Sequence, residues 1–143
     1  MYAAKTVVSV AKTRAEIEQL LERYRAKQYG TAVDYDLCVA RVQFRLHDRI
    51  VRFVITLPDS KKLGGGSRYE QAERQRWRAL MLVIKAKLES AESGIETFEE
   101  SFLGQIVMPN DQTIARIIAP QIADSYTTGR MPKALGPGPG EEG

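Results

Sequence analysis

The sequence predicts an α+β fold in which a small antiparallel sheet is covered by helices on one face. Two segments with alternating apolar residues flank His47-Asp48 and indicate a β-hairpin, and apolar residues at helical spacing indicate a long helix further along. The 143 residues are enough for one core. The predicted order is β-α-β-β-α-α-α, with one domain over residues 1–130 and a disordered Gly/Pro-rich tail over 131–143.

The first predicted elements are a strand and a helix. The strand is expected over residues 5–10, which are rich in β-branched side chains. Thr13 and Glu16 have the spacing of a capping box, and the apolar residues that follow them recur at helical spacing. Gly30 is the predicted end of this helix.

The hairpin is predicted from alternation in residues 37–46 and 49–57. A turn at His47-Asp48 places three apolar pairs opposite one another on one face: Phe44 with Val51, Val42 with Phe53, and Ala40 with Ile55. A four-residue tip with the same register is the alternative, because His-Asp lacks the glycine that a tight turn prefers. Cys38 is predicted to face inward as a small hydrophobic residue.

The second half of the chain is predicted to be helical. A flexible basic loop is expected over residues 61–67 and a long helix over about 68–91, with an apolar stripe that includes Trp77. Thr97 and Glu100 have capping-box spacing and predict a short helix. A last helix is expected from Ile114, with a kink or restart at Pro120.

Composition and charge exclude several classes of protein. A single cysteine excludes an intrachain disulfide, and the chain has no apolar run of about 18 residues and no signal-peptide core. We therefore expect a cytoplasmic protein without membrane contact. The net charge of +3, from 21 basic and 18 acidic side chains, excludes a strongly acidic mimic of DNA.

No catalytic group, metal site or cofactor is predicted. His47 and Cys38 are the only histidine and cysteine, whereas a structural zinc site takes about four such ligands. The triplet Gly64 to Gly66 lacks the Lys-Ser/Thr ending of a phosphate loop. An enzyme with an unfamiliar site is kept as a third hypothesis, and its carboxylates would be Glu96, Glu99, Glu100 and Asp111.

Basic residues are the strongest functional signal. The predicted nucleic-acid-binding residues fall on the outer face and tip of the hairpin, in the loop after it and on the long helix: Arg41, Gln43, Arg45, Arg49, Arg52, Lys61, Lys62, Arg68, Arg74, Arg78 and Lys85. Guanidinium groups on an open antiparallel ribbon suit phosphate contacts. The alternatives are a solvated surface and an interface with an acidic protein.

Four segments carry a resemblance to a known family. They are residues 69–80, 84–89, 94–100 and 106–109, and together they resemble a family of small uncharacterised proteins encoded by tailed phages and prophages. The resemblance covers roughly residues 5–132. Genes of this family commonly lie near replication and recombination genes, which implies a role in phage DNA metabolism or host takeover in the host-cell cytoplasm. It implies no role for any single residue.

Two functional hypotheses rank above the enzyme hypothesis. The first is a non-enzymatic accessory protein that binds DNA or RNA through phosphates in phage DNA metabolism. The second is an interaction module that binds and modulates a host or phage enzyme through an acidic partner surface, as an anti-defence or host-takeover factor. The exposed edges of a small sheet are also compatible with a homo-oligomer.

Overall fold

A three-stranded antiparallel sheet is the centre of the fold in the computed structural model, which describes residues 8–136. Its strands, in spatial order, are β1 (Gln28–Asp34), β2 (Val39–Leu46) and β3 (Arg49–Thr56). The helices are α1 (Val10–Arg23), α2 (Ser60–Leu63), α3 (Gly66–Ser93), α4 (Phe98–Phe102) and α5 (Ile114–Thr128). Short 3-10 turns lie at Leu103–Gln105 and Lys133–Leu135. The predicted α+β fold with a small antiparallel sheet is confirmed.

The hairpin has the register that the sequence predicts. Phe44 pairs with Val51, Val42 with Phe53, and Ala40 with Ile55. The tip consists of His47 and Asp48 alone, with φ angles of 52° and 58°. Two consecutive left-handed residues give the turn the twist that its flanking strands require, so the shorter tip forms without glycine.

The core lies between one face of the sheet and helices α1, α3 and α4. Trp77, Ile84 and Leu88 of α3 are buried there, as the apolar stripe predicts. Phe102 of α4 packs edge-on against Phe44, with the ring centroids 5.7 Å apart. This packing leaves the other face of the sheet turned away from these helices.

The N-terminal predictions are wrong in three respects within the described residues. Residues 5–7 lie outside those residues, but Ser9 is not in a strand and caps α1 by accepting a hydrogen bond from the Lys12 amide at 3.1 Å. Thr13 is buried inside α1 rather than capping it, because the Ser9 hydroxyl begins the helix one turn earlier. Gly30 lies in β1, a strand that the sequence analysis did not predict, where pairing with β2 outweighs the tendency of glycine to end helices. The described order therefore begins α-β-β-β.

Two smaller predictions also change. Cys38 packs against the core, as predicted, but it is half-buried and lies in a turn before β2, with a φ of 53°. Its thiol donates to the Tyr35 carbonyl oxygen at 3.6 Å. Lys61 and Lys62 lie in α2 and not in a flexible loop. Asp59 caps α2 by accepting from the Lys61 amide at 2.9 Å, which gives this segment a helical start.

The segment after α3 closes the outer edge of β3. Thr97 and Glu100 form the predicted capping box, through hydrogen bonds of 3.0 and 2.8 Å. The Val107 amide then donates to the Ile50 carbonyl oxygen of β3 at 2.8 Å.

Helix α5 follows and runs through Pro120 without a restart, and none of its residues is buried. Of the predicted tail, residues 133–135 form a 3-10 turn, and residues 137–143 lie outside the described part.

No helix within residues 8–136 combines the length and apolar character that crossing a membrane requires.

The left-handed turn at the hairpin tip leads to a prediction about stability. Asp48→Gly should raise the free energy of unfolding by about 0.5 kcal/mol, because glycine adopts a positive φ without steric cost. The measurement is urea denaturation with an unchanged m-value. Asp36→Gly is the matched control, since Asp36 lies in the other strand-connecting turn and has no positive φ. A gain in the control equal to that at Asp48 would contradict this account.

A second prediction concerns alkaline pH. The Tyr35 hydroxyl donates to Oε2 of the buried Glu73 at 2.8 Å, and this hydrogen bond, with partial burial, raises the pKa of Tyr35 to about 12 from 10.0. The stabilisation should be complete below pH 10 and disappear as the pH rises to 12, because only the folded state still holds the proton.

The check is the stability difference between the wild type and Tyr35→Phe, measured from pH 8 to 12. The difference should be constant below pH 10 and shrink above it. Tyr126→Phe is the control because Tyr126 is 89% exposed. A difference that stays constant up to pH 12 would show that the hydrogen bond does not form.

Candidate functional site

The open face of the sheet is the surface that turns away from α1 and α3. Strand pairing places eight central residues on it: Gly30 and Ala32 from β1, Arg41, Gln43 and Arg45 from β2, and Ile50, Arg52 and Val54 from β3. Because side chains alternate along a strand, these are the neighbours of the buried residues in the core. The predicted hairpin residues Arg41, Gln43, Arg45 and Arg52 therefore lie together on one face.

Two of the predicted arginines are already neutralised by acids. Arg52 is only 16% exposed at its side chain, and its Nη2 lies 2.7 Å from Oδ1 of Asp111. Arg52 also donates to Gln43 Oε1 and to the Asp111 carbonyl oxygen, each at 2.9 Å. Arg49, at the hairpin tip, pairs with Glu99 at 2.7 Å. Because each of these two guanidinium groups has an acidic partner, each offers a ligand less net positive charge than an unpaired arginine would.

Arg41 and Arg45 carry the uncompensated charge of the open face. Neither forms an ion pair with the described residues 8–136. The Nε–H of Arg45 is buried and has no hydrogen-bond partner there. The carboxylate of Asp34, at the end of the same face, accepts hydrogen bonds from the Asp36 and Leu37 amides at 2.9 Å and does not pair with either arginine. A positive field therefore persists along β2.

Short side chains on β1 leave room in front of these arginines. A hollow of about 400 Å³ lies over Gly30 and Ala32 and is also lined by Arg41 and Arg45. A cleft of about 740 Å³ separates β3 from α5, and a third hollow of about 300 Å³ lies near Leu37. Arg41 lines all three.

The remaining predicted residues belong to helices α2 and α3 and not to the sheet. Arg68, Arg74, Arg78 and Lys85 are on α3, and Lys61 and Lys62 on α2. Because α3 packs on the buried face of the sheet, the core separates its basic residues from the open face. Arg78 is also paired, with Glu16 of α1 at 3.2 Å. The structure thus separates the arginines of the open face from a helical surface, which consists of the basic residues of α3.

Arg116 is a candidate that the sequence analysis missed. It is exposed, lies in the first turn of α5 and lines the cleft between β3 and α5 together with Arg41 and Arg52. In the sequence, the one indication of a functional role is that Arg116 is a single charged residue within an apolar stretch. It lies 64 positions after Arg52 in the sequence, and only the packing of α5 beside β3 brings the two together.

The carboxylates of the third hypothesis do not form a cluster. Glu96 accepts from the Ser90 hydroxyl at 2.7 Å, Glu99 pairs with Arg49, Glu100 belongs to the capping box, and Asp111 pairs with Arg52. Across residues 8–136, no three carboxylate, histidine or cysteine side chains are placed to hold a metal ion together. Each of these acids has a structural partner.

Comparison of the chain with protein-family models, with curated proteins and with solved structures finds no match.

The two ion pairs of β3 should differ in their effect on stability. Arg52→Ala should lower the free energy of unfolding by about 1 to 2 kcal/mol. The side chain of Arg52 is 16% exposed, although its partner Asp111 is 83% exposed, and it makes three hydrogen bonds, two of which tie β3 to the turn before α5. Arg49→Ala, whose pair is about half exposed, should cost about 0 to 0.5 kcal/mol. Thermal and urea unfolding of both variants provide the test. Equal losses would mean that burial does not distinguish the pairs.

Proposed function

We propose that this protein binds nucleic acid, without catalysis, through the open face of its sheet. The observation that carries the proposal is the pair Arg41 and Arg45. These are two guanidinium groups without acidic partners among the described residues, on a face that the main helices leave uncovered. A planar guanidinium binds two phosphate oxygens at once, which makes phosphate the best-matched ligand group.

The spacing of these arginines supports contact with an extended chain of phosphates. Arg41 and Arg45 are four residues apart on β2, and a strand rises about 3.3 Å per residue, so their backbones are about 13 Å apart. Arg52 and Gln43 lie between them across the β2–β3 pair. The face is therefore long enough for more than one phosphate.

The binding should depend on the phosphate backbone and little on base sequence. None of the eight residues of the open face is aromatic, so the face has no platform for base stacking. Phosphate contacts position a ligand without reading its sequence. Low sequence preference and strong salt dependence are the expected properties.

The biological setting is also part of the proposal. The resemblance of segments 69–80, 84–89, 94–100 and 106–109 to small proteins of tailed phages and prophages suggests a role in phage DNA metabolism, in the cytoplasm of the host cell.

An interaction module is the second candidate function. Ile50 and Val54, 40% and 51% exposed, lie on the same face as the arginines. Protein interfaces combine apolar contacts with arginine in this way. The ligand would then be an acidic surface on a host or phage enzyme. A stoichiometric protein partner that co-purifies after nuclease treatment would favour this candidate over nucleic acid.

Fluorescence anisotropy with labelled single- and double-stranded DNA and RNA tests the main proposal. Titrations at low and near-physiological salt should show micromolar or tighter binding that weakens with salt. Arg41→Gln with Arg45→Gln should reduce the affinity at least tenfold and the salt slope by about 1.5 to 2, since two phosphate contacts are lost.

The matched control is Arg74→Gln with Lys85→Gln, which removes the same charge from the helical surface. This variant should bind like the wild type. If the control weakens binding and the sheet variant does not, the helical surface is the binding site. If the wild type binds nothing at low salt, the nucleic-acid proposal fails and the search turns to acidic proteins.

A further inference from the structure

The cleft between β3 and α5 has the features of a separate phosphate site. It has a volume of about 740 Å³ and is bounded by the open face of the sheet on one side and by α5 on the other. Arg41, Arg52 and Arg116 contribute guanidinium groups to it from three different elements. Asp111 is the one acidic residue among those that line it. The cleft is therefore positive, and two of its three arginines form no ion pair with the described residues.

The start of α5 adds to this positive character. Thr113 caps the helix by accepting from the Arg116 amide at 3.2 Å, and Thr113, Ala115 and Arg116 all line the cleft. The positive end of the 15-residue helix dipole therefore lies at the cleft, next to the Arg116 side chain. Phosphate groups bind well where helix amides and guanidinium groups converge.

Part of the wall is apolar and suits a sugar or a base. Val54 is 51% exposed, and Ala119 and Pro120 of α5 are exposed across from it. Inorganic phosphate would leave these groups in contact with water. A base that is already paired within a duplex has no free face to offer them. The cleft therefore favours an unpaired nucleotide.

We propose that this cleft binds the phosphate of one unpaired nucleotide, with its sugar or base against α5. The inference deepens the proposed function and rests on it where that nucleotide belongs to a polynucleotide. A single strand on the open face would enter the cleft beside Arg41, which lines both. The ligand class is then single-stranded nucleic acid in preference to duplex.

Asp111 provides the sharpest test of the site. Its carboxylate already occupies Arg52 at 2.7 Å, so a phosphate must compete with it. Asp111→Asn should tighten nucleotide binding roughly three- to tenfold, because it removes the competing charge. It keeps the hydrogen bond from Arg52 to the carbonyl oxygen of residue 111, so the turn stays tied to β3. Asparagine also tolerates the φ of 66° at this position. Glu99→Gln is the matched control, since it frees Arg49 from an ion pair of equal length outside the cleft.

The experiment is an NMR titration of the full ¹⁵N-labelled chain with deoxyadenosine 5′-monophosphate and, separately, with inorganic phosphate. Saturable shifts are expected at the Nε–H groups of Arg41 and Arg116 and at the first amides of α5, with the nucleotide binding more tightly than phosphate. Arg116→Gln should weaken binding at least threefold, Asp111→Asn should tighten it, and Glu99→Gln should leave it unchanged. Shifts that do not saturate, or equal effects of Asp111→Asn and Glu99→Gln, would overturn the inference.

Failure of this inference differs from failure of the proposed function. If Arg116→Gln leaves oligonucleotide affinity unchanged while Arg41→Gln with Arg45→Gln reduces it, the cleft is excluded and the open face remains. If the mononucleotide binds in the cleft but no oligonucleotide binds the protein, the nucleic-acid function fails and the cleft remains a nucleotide site. Tighter binding of duplex than of single strands would contradict the preference for an unpaired nucleotide.

Discussion

Packing of the apolar stripe of α3 on one face of the β2–β3 hairpin is the constraint on which the rest of the structure depends. Trp77, Ile84 and Leu88 are fully or almost fully buried against the sheet. Burial of this area is the main favourable term for a chain of this size. Because α1 and α4 join the same side, the sheet becomes one-sided, and the alternation of the strands then decides which residues face water.

Because helices cover only one face of the sheet, the other face stays open and one wall of the cleft between β3 and α5 forms on it. The arginines of β2 face outward because their neighbours Val42 and Phe44 are needed in the core. Helix α5 has no buried residue and lies beside β3, so it adds the wall of a cleft and contributes little to the core. Its position depends on local contacts, among them the ion pair between Arg52 and Asp111. The side chains of the open face and of the cleft are therefore largely different from those of the core.

The hairpin and α3 were predictable because their signals are local and agree with one another. Alternation, the two-residue tip and the apolar pairs all require one register, and a slip by one residue would expose Phe44 and Phe53. The missed third strand had weaker signals. Gly30 and the exposed residues around it in β1 resemble a helix end and a loop, and only pairing with β2 makes them a strand. Long-range pairing of this kind cannot be seen in a short window of sequence.

The sequence by itself determined the fold class, the hairpin register and the outward direction of Arg41, Arg45 and Arg52, since all of these depend on the period of a strand. Only the tertiary structure decided which of the basic residues lie together. It separated the arginines of β2 from those of α3 by a core, gave Arg52 an acidic partner, and brought Arg116 to the same cleft as Arg41. The physical reason is that charge acts through distance and solvent exposure, which are set by how the elements pack and not by their order along the chain.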